Sequence, residues 1–336
     1  MKFKAAILNK SKSDLIVDDI ILNNSLETGQ ILVKLNYSGL CRSQINEIDA
    51  LKGKDKFLPH LLGHEGSGTI VDMNTTRNDL NIGDNVILHW MKGKGIESAT
   101  PKYKWGRRSL NAGWVTTFNE YAVVSENRIT PFSTNKISKK VASLFGCCLT
   151  TGFGTINNYS KVKIGDEILI IGLGGVGLNL VLGANIVGAN RIYGVEREQF
   201  NLNLAKKYGL FKGYRDIKKI NKKFDKVIDT TGNVNLIEKG YECTSDKGIF
   251  TMIGIPEKNK RPRFKTLPLH FNKTINGSHG GFINPSEDIN KYINIINTKK
   301  INLEKQIGRA YSLENINVAL KNFRKKSNGR IQIKFK

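Results

Sequence analysis

The chain carries two different hydrophobic rhythms. From Lys2 to about Thr130, short apolar stretches alternate with turns, as in Phe3-Lys4-Ala5-Ala6-Ile7-Leu8, Gln30-Ile31-Leu32-Val33-Lys34-Leu35, Gly68-Thr69-Ile70-Val71 and Asn85-Val86-Ile87-Leu88. Gly, Asn and Asp punctuate them, with Asn81-Ile82-Gly83-Asp84 immediately before the last, so this half predicts short strands in a small barrel or sandwich. From about Ile164 the pattern becomes continuous apolar runs separated by helix-compatible stretches: Ile168 to Ile171, Arg191 to Val195, Lys226 to Asp229 and Gly248 to Ile253. Such runs suit parallel strands buried on both faces by crossover helices, which predicts a doubly wound α/β domain. A further helical pattern surrounds Leu313 to Phe323. At 336 residues the chain exceeds the roughly 250–300 at which single cores tend to divide, so two domains are expected.

Gly172-Leu173-Gly174-Gly175-Val176-Gly177 lies directly between the strand Ile168 to Ile171 and a helix-compatible run. In a GxGxxG so placed, the first glycine permits the tight turn and the second lets a pyrophosphate approach the backbone. The third lets helix and strand pack closely, with the phosphates meeting the helix N-terminus. The next strand ends at Glu196, where a carboxylate can accept hydrogen bonds from a ribose 2′-OH. Gly172, Gly174, Gly175, Gly177 and Glu196 therefore form a candidate dinucleotide site. Glu196 would repel a 2′-phosphate, which favours NAD, and the adjoining Arg197 acts in the opposite sense. The uncharged stretch Ile168 to Asn190 is long enough to raise a membrane span, but its six glycines, Asn179 and Asn185 suit a strand, turn and helix instead.

Composition adds a strong basic excess. Lys+Arg 53 against Asp+Glu 29 gives a formal charge of +24, with 39% hydrophobic and 24% charged residues. The excess reads either as a footprint for polyanions or as lysines spread over solvated faces. Lysines occur in most segments and no recognition motif for DNA or RNA is visible, so no nucleic-acid partner is expected. The start, Met1-Lys2-Phe3-Lys4-Ala5-Ala6, lacks the apolar run of a secretory signal, and a cytoplasmic location is expected. Four cysteines, Cys41, Cys147, Cys148 and Cys243, are too few for a disulfide framework in a chain of this length.

Three side chains suggest a metal. Cys41, His64 and Cys147 form a Cys₂His set, and three protein ligands with an open fourth position are the arrangement of a catalytic zinc. Each alone is ambiguous, since a single buried cysteine is usually a small apolar filler.

Taken in order, Gly39-Leu40-Cys41-Arg42-Ser43, Gly63-His64-Glu65-Gly66-Ser67-Gly68, Gly83-Asp84-Asn85-Val86, Gly146-Cys147-Cys148-Leu149-Thr150-Thr151-Gly152 and the GxGxxG resemble the medium-chain, zinc-dependent alcohol and polyol dehydrogenases. Thr274-Ile275-Asn276-Gly277-Ser278 and Gly329-Arg330 extend the resemblance over nearly the whole chain. It implies a GroES-like β-rich catalytic domain over 1–148, an NAD-binding Rossmann domain over 149–280 and a return to the catalytic domain over 281–336. It also implies one zinc held by Cys41, His64 and Cys147, with Glu65 as the nearby carboxylate and Ser43 as the hydroxyl that removes the substrate proton. Arg42 and Arg330 correspond to positions that hold the cofactor phosphates, Thr151 to one beside the nicotinamide, and Cys148 to a bystander.

The expected activity is hydride transfer between NAD and a small-molecule alcohol or carbonyl, on a polyol, sugar-derived or phosphorylated alcohol, by a homodimer or homotetramer. Two alternatives stand beside it: a zinc-free quinone or enone reductase on the same fold, and a basic nucleic-acid-binding protein on a dinucleotide fold.

The chain departs from the family pattern in three places. His89 to Glu120 contains no cysteine, so the structural zinc that many relatives carry there has no ligands. Ile45-Asn46-Glu47 lacks the histidine that completes a proton relay in some relatives, and Gln44 stands where an aspartate is usual behind the zinc. The segment from Lys92 to Arg108 mixes six cations with Tyr103 and Trp105, and is expected either to recognise an anionic substrate at the entrance or to be a solvated surface.

Overall fold

The computed structural model describes residues 1–51, 53–325 and 329–336. It divides into two compact units, one formed by Met1–Cys147 with Asn284–Lys336 and the other by Cys148–Ile283.

The first unit combines a closed barrel with a mixed sheet. Among the described residues the barrel runs Lys2–Leu8, Ile16–Ile21, Lys102–Trp105, Arg108–Asn111 and His60–Leu61. In the sheet, Gln30–Gly39 is central: it pairs antiparallel with Glu65–Asn74, Tyr121–Ser125 and Arg330–Lys334. Period-two alternation lets one barrel strand contribute to two hydrophobic cores. In Lys2–Leu8 the odd residues Phe3, Ala5 and Ile7 enter the barrel core with Ile20, Leu61, Tyr103 and Leu110. The even residues Ala6 and Leu8 face the larger core with Ile31, Val33, Leu35, Val86 and Ile333.

The basic segment is not a free loop. Lys102–Trp105 and Arg108–Asn111 are paired barrel strands in which Tyr103 is buried and Lys102 and Lys104 point outward, the alternation of a solvated strand face. The preceding stretch is held from below by buried charges. Glu126 accepts from Thr75 Oγ1, Thr76 N, Thr76 Oγ1 and Ile96 N. Arg128 binds Trp90 O and Glu97 and lies 5.1 Å from the Trp114 ring centroid. Lys92 pairs with Glu97 and Lys94 with Asp79, so both cations have partners within the unit.

The second unit is a doubly wound parallel sheet. Among the described residues its order is Leu210–Tyr214, Arg191–Val195, Glu167–Ile171, Phe224–Asp229, Thr244–Met252 and Thr274–Gly277. The order reverses at Glu167–Ile171, the first strand, and ligands of such sheets bind beyond the carboxyl ends at that switch point. No described helix is long and apolar enough to cross a membrane.

Two elements were not anticipated from the sequence. Leu210–Tyr214 is a short strand with Phe211 and Lys212 exposed. Helix Pro285–Thr298 starts with proline in its first turn, followed by Glu287 and Asp288, and buries the i, i+3, i+4, i+7 set Ile289, Tyr292, Ile293 and Ile296.

His89 shows how burial couples this fold to pH. Its ring is buried, with Nδ1 donating to Met91 O at 2.8 Å and Nε2 beside Thr130 Oγ1 at 3.0 Å, and burial drives its pKa down to about 4. The folded ring stays neutral to about pH 4 whereas an unfolded one protonates near 6.5, so stability should fall as pH drops through that window. The loss should approach about 3 kcal/mol at pH 4. Urea unfolding at pH 7 and pH 4.5 should show a smaller loss in His89→Gln than in the wild type; equal losses would contradict this assignment.

Candidate metal and cofactor sites

The metal-ligand set is assembled in the first unit from three turns at element ends. Cys41 occupies the N-cap position of helix Arg42–Ile48, His64 the turn entering strand Glu65–Asn74, and Cys147 the residue after the short 3₁₀ helix Ser143–Gly146. One ligand atom from each lies within 4.8 Å of the others. Ligands of tetrahedral zinc stand ~3.5–4 Å apart, a spacing compatible with this set. The hydrogen bond between the thiols pulls Cys41 well below the usual thiol range despite its burial, and the same bond together with burial pushes Cys147 up. Burial alone would lower His64, but the Cys41 charge and hydrogen bond, with Glu65, raise it.

Behind this set lies a buried ion pair. Arg330 Nε donates to Glu65 Oε1 at 2.7 Å, and Nη2 donates to the same oxygen. The two residues meet because their strands flank Gln30–Gly39 on opposite sides. Gly39 gives the carboxylate its space, since a Cβ there would lie 2.0 Å from Glu65 Oε1. Ser38 Oγ and Thr117 Oγ1 donate to the Glu65 carbonyl and fix its backbone. Burial raises the Glu65 pKa, and the Arg330 charge works against that rise.

Zinc fits these residues. The donor types are those of a catalytic site, and Glu65 Oε2 is a buried acceptor without a hydrogen-bond partner among the described residues, close enough to be felt by Cys41 and His64.

Ser43 Oγ stands 3.5 Å from His64 Nε2. Gln44, which sequence reasoning noted only as a departure, is buried and touches both the ligand and its turn: Nε2 lies 2.7 Å from His64 Nδ1, and Oε1 accepts the Gly63 N–H. Arg42 is exposed at the start of the same helix. Arg330, expected at a cofactor phosphate, is 7% exposed and donates Nε and Nη2 to Glu65; its strand sits inside the sheet.

The glycine turn belongs to the second unit. Gly172 has φ +87°, and a Cβ on Gly177 would lie 1.9 Å from Gly172 O, so the turn and its close approach both require glycine. A Cβ on Gly174 would meet nothing within 4 Å, which leaves an open cradle at the start of helix Gly175–Val187. Glu196 is drawn to this turn: Oε2 accepts Leu173 N at 2.9 Å, while Oε1 accepts Arg197 N and Glu198 N. Sequence reasoning missed the other brace, Thr230, whose Oγ1 donates to Ile171 O and Gly172 O, because no local motif marks it. Thr151 is buried in helix Cys148–Gly154, and Cys148 lies beside Asn179 Nδ2 at 3.9 Å. A dinucleotide fits this cradle by its open space, helix N-terminus and carboxylate.

Comparison with known proteins identifies the family. Residues 27–134 match the alcohol dehydrogenase GroES-like domain and residues 175–298 the zinc-binding dehydrogenase domain. Alcohol dehydrogenase 2 of Oryza sativa subsp. japonica is 27% identical, over 95% of this chain and 93% of its own length. Benzyl alcohol dehydrogenase from Acinetobacter calcoaceticus superposes with a TM-score of 0.88 at 22% identity, covering 100% of both chains. Acetophenone reductase from Geotrichum candidum, solved with NAD, superposes at 0.84 and 18% identity over 99% of this chain and 97% of its own. The chain belongs to the medium-chain, zinc-dependent alcohol dehydrogenase family, with its GroES-like and Rossmann-type fold, and is an oxidoreductase of the alcohol dehydrogenase type.

The buried pair yields a stability prediction. Arg330→Ala leaves the Glu65 carboxylate buried without its partner and should cost about 3–5 kcal/mol in urea unfolding. A loss below about 1 kcal/mol would show that the pair does not hold the sheet together.

Proposed function

We propose that the protein is an NAD-dependent, zinc-dependent dehydrogenase interconverting a small-molecule alcohol and its carbonyl. The observation that carries this reading is the convergence of Cys41, His64 and Cys147 beside the buried Glu65–Arg330 pair. Zinc, when bound, supplies Lewis acidity toward the substrate oxygen. Ser43 Oγ, next to His64 Nε2, takes up or returns the hydroxyl proton. Glu65, held by Arg330, keeps negative charge behind the ligands. The Gly172–Gly177 turn and the N-terminus of helix Gly175–Val187 receive the pyrophosphate, Glu196 the adenosine ribose, and Thr151 lies beside the nicotinamide. The same ligand set weighs against the zinc-free quinone or enone reductase, whose chemistry needs no metal.

The substrate is read as an alcohol of the polyol or sugar-derived class. The outward alternation of Lys102 and Lys104 supports a solvated face for the basic segment rather than phosphate recognition, so Arg107→Ala and Arg108→Ala should alter KM for a polyol phosphate no more than for its parent polyol. Assembly as a homodimer is supported by the edge strand Thr274–Gly277 and the adjoining Leu267 and Phe271, which are 67% and 63% exposed.

Elemental analysis of metal-replete protein should find about one zinc per chain, and Cys41→Ser should lose zinc and activity while keeping the far-UV circular dichroism spectrum. Two zincs, or none, would overturn the assignment. NAD should bind more tightly than NADP in a fluorescence titration, with Glu196→Ala narrowing the difference; tighter NADP binding by the wild type would reverse the cofactor reading.

A further inference from the structure

We propose that Gln44 is a positioning residue that holds His64 in the tautomer opposed to metal binding, so that this chain binds its zinc more weakly than a carboxylate at position 44 would allow. The inference rests on the zinc reading above and concerns how firmly the metal is held.

The argument is one of donors and acceptors. Gln44 is 5% exposed, and both ends of its amide are engaged. The Gly63 N–H can only donate, so it selects Oε1 and orients the amide. The NH₂ group is thereby turned to His64 Nδ1 at 2.7 Å, and it too can only donate. His64 Nδ1 must then accept, which puts the proton of the neutral ring on Nε2. With Nδ1 occupied by Gln44, Nε2 is the nitrogen left for a metal, and it is the one facing Ser43 Oγ.

Coordination through Nε2 requires the opposite arrangement. A neutral metal-bound imidazole carries its proton on the other nitrogen, where it usually donates to a carboxylate or carbonyl. Here that proton would meet the Gln44 NH₂, donor against donor. Turning the amide over presents Oε1 to His64 but brings the NH₂ against the Gly63 N–H, so the conflict moves instead of vanishing. A glutamate has the same length as glutamine and two acceptor oxygens, which can serve Gly63 N–H and His64 Nδ1–H together.

The test is zinc affinity, measured by competition with a chromophoric chelator on full-length zinc-loaded wild type and Gln44→Glu, with far-UV circular dichroism as a check on folding. Loss of an outer partner of a metal-ligating histidine typically costs 10–100-fold in affinity, so Gln44→Glu should bind zinc tighter by about that factor. A role limited to bracing the Gly63 turn predicts no gain. If Gln44→Glu does not fold, Gln44→Met decides: it removes the opposing NH₂ at equal length and should bind zinc at least as tightly as wild type, whereas weaker binding overturns the proposal. Equal affinity of wild type and Gln44→Glu overturns this inference and leaves the zinc reading intact; absence of zinc from both overturns the two together.

Discussion

A carboxylate and a guanidinium, 265 residues apart in the chain, share one buried contact, and the first unit is organised around it. Taking two charges out of water is expensive, and the pair persists only because the geometry is close and the surrounding backbone is satisfied. That requirement explains several neighbours at once. Gly39 is side-chain-free where the carboxylate passes, and Ser38 and Thr117 hold the Glu65 carbonyl. Arg330–Lys334 must return to the sheet to deliver the partner. The metal-ligand set then inherits its position: His64 precedes Glu65, and Cys41 follows the strand that Gly39 ends.

The segment that lacks the usual structural-zinc cysteines is restrained by other means. Glu126 and Arg128 lie under it and bind backbone or side-chain groups of Trp90, Ile96 and Glu97. Burial would push the Glu126 carboxyl up, yet donation from Thr75, Thr76 and Ile96 N outweighs it and holds the pKa low. Arg77 joins the same network, with Nη1 donating to the Glu126 and Ile129 carbonyls. A metal is one way to bind a loop without a hydrophobic core; a set of buried, mutually satisfied charges is another.

What was legible in the sequence follows from what is local. The short strands Lys2–Leu8 and Asn85–His89, the apolar runs of the parallel sheet and the glycine turn are set by residues within a few positions of one another. Leu210–Tyr214 escaped because a partly exposed edge strand needs no apolar run; Pro285–Thr298 was legible in the helical spacing of Ile289, Tyr292, Ile293 and Ile296 but was not singled out among its many polar residues. The pairing of Arg330 with Glu65 depends on strand pairing across most of the chain, which no local motif records. Gln44 was visible as an unusual residue, but the direction of its amide depends on where the Gly63 N–H points.

The first unit is discontinuous in sequence, and this bears on the order in which the protein can form. Its sheet is completed only by the strand ending at Lys334, whereas residues 148–283 are contiguous and contain their own core. As the chain leaves the ribosome, the second unit can close while the first still waits with Gln30–Gly39 short of one neighbour. Pairing residues so distant in sequence is also intrinsically slow. The β-rich unit that carries the metal ligands is therefore the last part to mature, and the interval before its C-terminal strand docks is when its unpaired sheet is most exposed to aggregation.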